Sequence, residues 1–257
     1  MTRDQDQALP ERAGVACRLQ GVDVRRGERA VLQGIDLEIR ASERVALIGP
    51  NGAGKSSLMS AIVGLCPAER GVIETLGRPL SSRRTHSSVR AATGFVFQKH
   101  ALVRRRSVLS NVLHGLMARR GAWRAWSATL APAAWRTEAM AALAEVELSE
   151  RAADRADRLS GGQAQRVAIA RALVGGPELV IADEPTASLD PAAGREIMDL
   201  FGQLVVRHRA TLLYATHDME HGRAHADRII GLKAGRIVLD APSAAVTPPQ
   251  LAELFDA

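Results

Sequence analysis

The string Gly49-Pro50-Asn51-Gly52-Ala53-Gly54-Lys55-Ser56 constrains this chain of 257 residues more than any other stretch. It follows the short apolar run Arg44–Ile48 and opens a helical stretch from Lys55 to about Gly64. A Gly-x-x-x-x-Gly-Lys-Ser string between a strand and a helix is a cradle for phosphate. Its glycines let the backbone close around phosphate oxygens, and successive N–H groups with the helix N-terminus hold the negative charge. Lys55 is expected to reach the β- and γ-phosphates, Ser56 to bind Mg2+ through its hydroxyl, and Ser57 to share the same turn.

The surrounding pattern suits that context. Val15–Val24 and Val31–Ile39 carry partly alternating apolar residues and read as strands. Val72–Leu76, Gly94–Phe97, Leu179–Ala182 and Thr211–Ala215 are further strand candidates, and Arg228–Leu232 with Arg236–Leu239 reads as a closing hairpin. Helices follow Ser160 and Pro191, and Pro248-Pro249 opens a short one. Strands alternating with helices predict an α/β fold with a mainly parallel sheet. Val108–Arg119 and Ala133–Val146 show helical spacing, so about 102–159 reads as an inserted α-helical subdomain. Aromatics are only 3% of residues, so the core must be aliphatic.

Composition excludes several classes. With 46% hydrophobic and 24% charged residues the chain is globular, not disordered. No run approaches the length of a membrane span. Met1–Gly14 is polar and lacks the apolar core of a secretory signal, so a cytoplasmic location is expected, with residues 1–12 flexible. Cys17 and Cys66 are expected as two buried free thiols.

Two more strings carry chemistry. Leu179-Val180-Ile181-Ala182-Asp183-Glu184 delivers two carboxylates at the end of an apolar strand, where α/β sheets bind ligands. Asp183 suits Mg2+, and Glu184 is placed to polarise an attacking water. Ser160-Gly161-Gly162-Gln163 begins a helix and reads as a second phosphate site or as an ordinary helix cap.

These three strings, in this order, resemble the ATP-binding-cassette ATPases from about Val15 to Phe255. Ser160–Gln163 looks like the family's signature motif. Gln98, in Phe95-Val96-Phe97-Gln98, matches its Q-loop glutamine, Asp190 its D-loop, and His217 its switch histidine. The resemblance implies a P-loop NTPase (RecA-like) core with an antiparallel β subdomain, spanning 13–257 as one ATPase domain. It implies ATP as the bound nucleotide, with Ser56, Gln98 and Asp183 managing Mg2+, Glu184 positioning water, and His217 contacting the γ-phosphate. It also implies a second copy of the chain, paired head to tail, because one chain carries only one copy of each motif. Family members place an aromatic residue near Arg26. Here no aromatic lies between Met1 and Phe95, so Arg26 is expected to stack through its guanidinium, with looser base recognition.

Within the family, Gln98–Gly115 and the segment Ala226–Lys233 look similar to the ATPases of phosphonate importers. That branch implies a separate membrane permease, docked near Gln98 to Asn111, a solute-binding protein acting through it, and a peripheral place on the cytoplasmic face of the membrane. An amino-acid importer or a lipoprotein-release ATPase is the alternative. Charge is uneven: Thr75–Thr137 holds 12 basic and no acidic residues, while the chain as a whole is +6. That imbalance suggests an anionic partner for one face, nucleic acid or the anionic inner leaflet of a membrane, against the alternative of a merely solvated surface. Nucleic acid is not expected, because the chain lacks the coiled-coil arms, zinc insertions or second cassette of members that act on it. All three tryptophans, Trp123, Trp126 and Trp135, lie in the same span.

Overall fold

Two β-sheets frame the computed structural model, which describes residues 14–98, 100–119 and 122–255. β1 (Val15–Arg26) and β2 (Arg29–Arg40) form a long hairpin, and β3 (Arg44–Ile48) leads into α1 (Lys55–Ile62). β4 (Arg70–Thr75), β5 (Arg78–Pro79), α2 (Arg83–Ala91) and β6 (Thr93–Val96) follow. Next come α3 (Val108–Leu113), α4 (Ala133–Glu145) and α5 (Gly161–Leu173). Strand and helix then alternate through β7 (Leu179–Asp183), α6 (Pro191–Arg207), β8 (Thr211–Thr216) and α7 (Met219–His225). β9 (Arg228–Lys233), β10 (Arg236–Pro242) and α8 (Pro248–Ala252) complete the order.

The smaller sheet runs β2-β1-β4-β5 and is antiparallel. The larger runs β10-β9-β3-β8-β7-β6 and is parallel except for β10 at its edge. Sequence explains the contrast. β2 alternates buried Ile35, Leu37 and Ile39 with exposed Asp36, Glu38 and Arg40, so one face is wet. β8 is buried along its whole length, as a central parallel strand covered on both faces must be.

The period-2 geometry of β3 splits the core. Val45 and Leu47 join Leu58 and Ile62 of α1 and the inner face of the β1–β2 hairpin. Ala46 and Ile48 face the opposite way and join Val112, Leu143, Val167 and Phe201 from the helices. Both cores are aliphatic; Tyr214 and Phe201 are the largest fully buried side chains.

Several local expectations are revised. The helix read over Val108–Arg119 stops at Leu113 and tightens to a 3-10 turn at His114–Leu116. There Gly115 passes α5 so closely that a Cβ would lie 2.1 Å from the Arg171 carbonyl oxygen. α2 escaped the pattern because it buries only Val89; a capping box between Ser82 and Thr85 starts it instead. α7, with only His221 and Gly222 buried, escaped for the same reason. Cys17 is buried as expected, and burial pushes its thiol up to about 12. Cys66 is only half-buried. The reading of residues 1–12 lies outside the described residues, as do Lys99 and Arg120 of the basic span.

Candidate functional site

The carboxyl ends of the central strands lie level with one another. Ile48 of β3 pairs with Thr216 of β8 and Gly231 of β9, and Asp183 of β7 pairs with Ala215. The segments that leave these strands therefore meet at one edge of the sheet.

The loop after β3 is glycine-rich for steric reasons. A Cβ at Gly49 would sit 2.1 Å from the Leu232 carbonyl oxygen. Gly54 holds φ 111° against Leu32 and the Val31 carbonyl, a conformation open only to glycine. The loop closes on itself through Ala53 N–H to the Pro50 carbonyl, 3.2 Å, and Gly235 N–H to the Ala53 carbonyl, 2.9 Å. Lys55 is 7% exposed, and its ammonium donates to the carbonyls of Gly49 (2.7 Å) and Pro50 (3.1 Å). Burial pulls its pKa below the ordinary lysine value, against the carboxylates of Glu184 and Asp183. α1 has no side-chain cap and no acidic residue in its first turn, so its leading N–H groups keep an affinity for an anion.

A cleft of about 550 Å3 runs over this loop. Asn51, Gly52, Gly54, Lys55, Ser56 and Ser57 line it together with Gln98, Asp183 and Glu184. Arg26 lines it too, joined by Arg29 and Val31, which no motif had flagged. The Ser56 hydroxyl donates to Asp183 Oδ2 at 2.9 Å. A hydroxyl beside a carboxylate, next to a phosphate cradle, is the donor set a hard cation such as Mg2+ takes from protein, so the residues fit that ion.

Glu184 sits apart from Asp183 by virtue of its backbone. Its φ is 47°, and its N–H donates to the Ala215 carbonyl at 3.1 Å. Its carboxylate accepts from Gln98 Nε2 at 3.2 Å and lies 3.7 Å from His217 Nδ1. Two residues from separate strings, Gln98 and His217, thus converge on the Glu184 carboxylate.

Ser160–Gln163 stand elsewhere. Ser160 Oγ accepts from Gln163 N–H, and Gln163 Oε1 accepts from Ser160 N–H, closing a capping box on α5. Ser160, Gly162 and Gln163 line a separate hollow of about 300 Å3. Gly161 begins α5. Asp190 caps α6 by accepting from the N–H groups of Ala192 and Ala193.

A tie between the two regions was not legible in the sequence. Arg171 of α5 donates to the carbonyls of His100 (2.8 Å) and Ala101 (2.7 Å), two and three residues after Gln98. His100 Nδ1 lies 2.6 Å from Oε1 of the fully buried Gln165. His100 and Ala101 both take left-handed backbone, φ 50° and 49°.

Comparison with known proteins decides the family. The ABC transporter family model matches residues 32–187. This chain belongs to the ABC transporter family. Like its relatives it is an ATP-binding, ATP-hydrolysing cassette. It is 46% identical to the phosphonates import ATP-binding protein PhnC of Paraburkholderia xenovorans, over 88% of this chain and 77% of that one. It is 42% identical to PhnC of Stutzerimonas stutzeri, over 90% and 86%. Among solved structures it is similar to CbiO1 of Clostridium perfringens, part of the ABC transporter complex CbiONQ, with TM-score 0.81, 28% identity and 93% of both chains covered. It is also similar to the cassette MJ0796, solved as a dimer in a post-hydrolysis state with ADP and Pi, with TM-score 0.75, 32% identity, and 88% and 98% covered. Among the described residues of this cassette no helix is long and apolar enough to cross a membrane.

Proposed function

We propose that this cassette is the ATP-binding subunit of an importer for phosphonates or a related phosphate-type anion, and that it powers a separate permease. The observation that carries the reading is the convergence of Lys55, Ser56, Gln98, Asp183, Glu184 and His217 on one sheet edge. The similarity to PhnC proteins supplies the substrate class.

In this reading the loop from Gly49 to Ser57 and the open N-terminus of α1 hold the phosphates of ATP, with Lys55 neutralising their charge. Arg26 lies against the base. Mg2+, held by Ser56 and Asp183 with Gln98 nearby, would supply charge neutralisation at the phosphates. Glu184 orients the attacking water, held at its other oxygen by Gln98, and His217 contacts the γ-phosphate. The reaction is an in-line transfer of the γ-phosphoryl group to water, so the protein's work is positioning and charge stabilisation.

A second copy completes each site, bringing Ser160, Gly161, Gly162 and Gln163 to the phosphates bound by the first. Asp190, beside Glu184 and His217 in the hollow before α6, lies at that junction. The helical segment 102–159 acts as the subdomain that moves with the permease, and the assembly works at the cytoplasmic face of the membrane. Reconstitution with the cognate permease and binding protein tests this. ATP turnover should rise on adding methylphosphonate and stay flat with amino acids; the opposite pattern would refute the substrate class.

A further inference from the structure

The connection between α3 and α4 exposes a surface that ATP binding does not use. A 3-10 turn spans Ala122–Trp126. Side chains three residues apart eclipse in such a turn, so Trp123 and Trp126 share one edge. They are 67% and 48% exposed, while Ala125 points inward, fully buried. The guanidinium of Arg106 lies 5.5 Å over the Trp126 ring, and His114 Nε2 lies 3.3 Å from the Trp126 carbonyl oxygen, which fixes the turn against α3. Arg124, between the two tryptophans in sequence, is exposed. Leu130, 48% exposed, follows in the same connection.

Exposed indole beside arginine suits two kinds of partner, an anionic lipid surface or a protein. Charge separates them. This patch sits in the span with 12 basic and no acidic residues. Glu138, the first carboxylate past its C-terminal border, is already engaged by Arg119. Permease loops on the cytoplasmic side carry an excess of Lys and Arg, so they repel such a patch. The cytoplasmic leaflet is anionic and attracts it, and tryptophan partitions to the headgroup level.

We infer that Trp123, Arg124, Trp126 and Arg106 form a contact surface for anionic phospholipid headgroups, which seats the cassette against the inner leaflet beside its permease. The inference rests on the importer reading for its membrane and goes beyond it in assigning this surface to lipid. Each basic residue at a charged membrane contributes roughly 1 kcal/mol, so the contact is weak and salt-sensitive and serves orientation more than anchoring.

The full chain carries its own probe, because its only three tryptophans lie in this span. The test is co-sedimentation with phosphatidylglycerol vesicles and with phosphatidylcholine vesicles, together with quenching of tryptophan emission by brominated lipid. Binding to phosphatidylglycerol alone is expected, with quenching, weakened about tenfold on raising salt from about 0.05 to about 0.5 M. The double variant W123S/R124S should lose it about tenfold while hydrolysing ATP normally. Failure to sediment with phosphatidylglycerol overturns the inference, and so does binding that the double variant leaves unchanged. Shielding of the tryptophans by detergent-purified permease without added lipid would also overturn it, assigning the surface to protein. None of these outcomes touches the substrate-dependent turnover that tests the importer reading.

Discussion

α1 and α5 both begin with a glycine-rich turn, yet their N-termini are finished differently. α1 starts from Gly54 in left-handed backbone with no side-chain cap. α5 starts from Ser160 with a closed capping box. The first leaves its N–H groups wanting an anion; the second satisfies part of that want from its own chain. The second is a helix start already closed by its own side chains. In the proposed reading the chain binds nucleotide at α1 by itself, and the α5 side joins the site on pairing.

The comparison can be broken in four places. Glu184→Gln should leave nucleotide binding at the α1 side intact and cut hydrolysis by about 10²–10⁴-fold, checked by ATP binding and phosphate release on the same sample. Loss of both together would mean that Glu184 shapes the cleft and does not act on water. ATP at about 100 times its Kd should stabilise the wild type by about 2.7 kcal/mol. Lys55→Ala should abolish that gain and Ser160→Ala should keep it; equal loss in both variants would erase the distinction between the two helices.

Such stability measurements have an alkaline limit. The folded Cys17 thiol ionises near 12, above its ordinary value of 9.0, so the unfolded chain loses the proton first. This contribution is whole below pH 9.0 and falls by up to about 1.4 kcal/mol per pH unit as pH rises toward 12. Cys17→Ala should flatten that slope in denaturant titrations. The smallest effect is Ser160→Ala without nucleotide. Removing one cap should cost about 1 kcal/mol, read from the midpoint of urea unfolding. A cost near zero would mean that the box is not holding α5.

Legibility in the sequence followed how local the physics is. Gly49–Ser56 was readable because steric and charge demands fall on consecutive residues, and β7 because an apolar run ending in two carboxylates has few other uses. Asp183 and Ser56 meet as their chemistry suggested. Arg29 and Val31 enter the cleft through the β1–β2 hairpin, which local spacing does not place. The left-handed backbone of Glu184 is imposed by its neighbours and leaves no trace in residue type. α2 and α7 bury too little to show a periodic stripe. The early end of α3 depends on Arg171, 56 positions beyond Gly115, and only packing reveals it.

Arg171 also links parts that the motifs name separately. It belongs to the helix that Ser160 begins, and its guanidinium grips two carbonyls just past Gln98. Those carbonyls sit in backbone already twisted into the left-handed region. A displacement of α5 therefore acts first on the carbonyls of His100 and Ala101, two and three residues from the amide that touches Glu184.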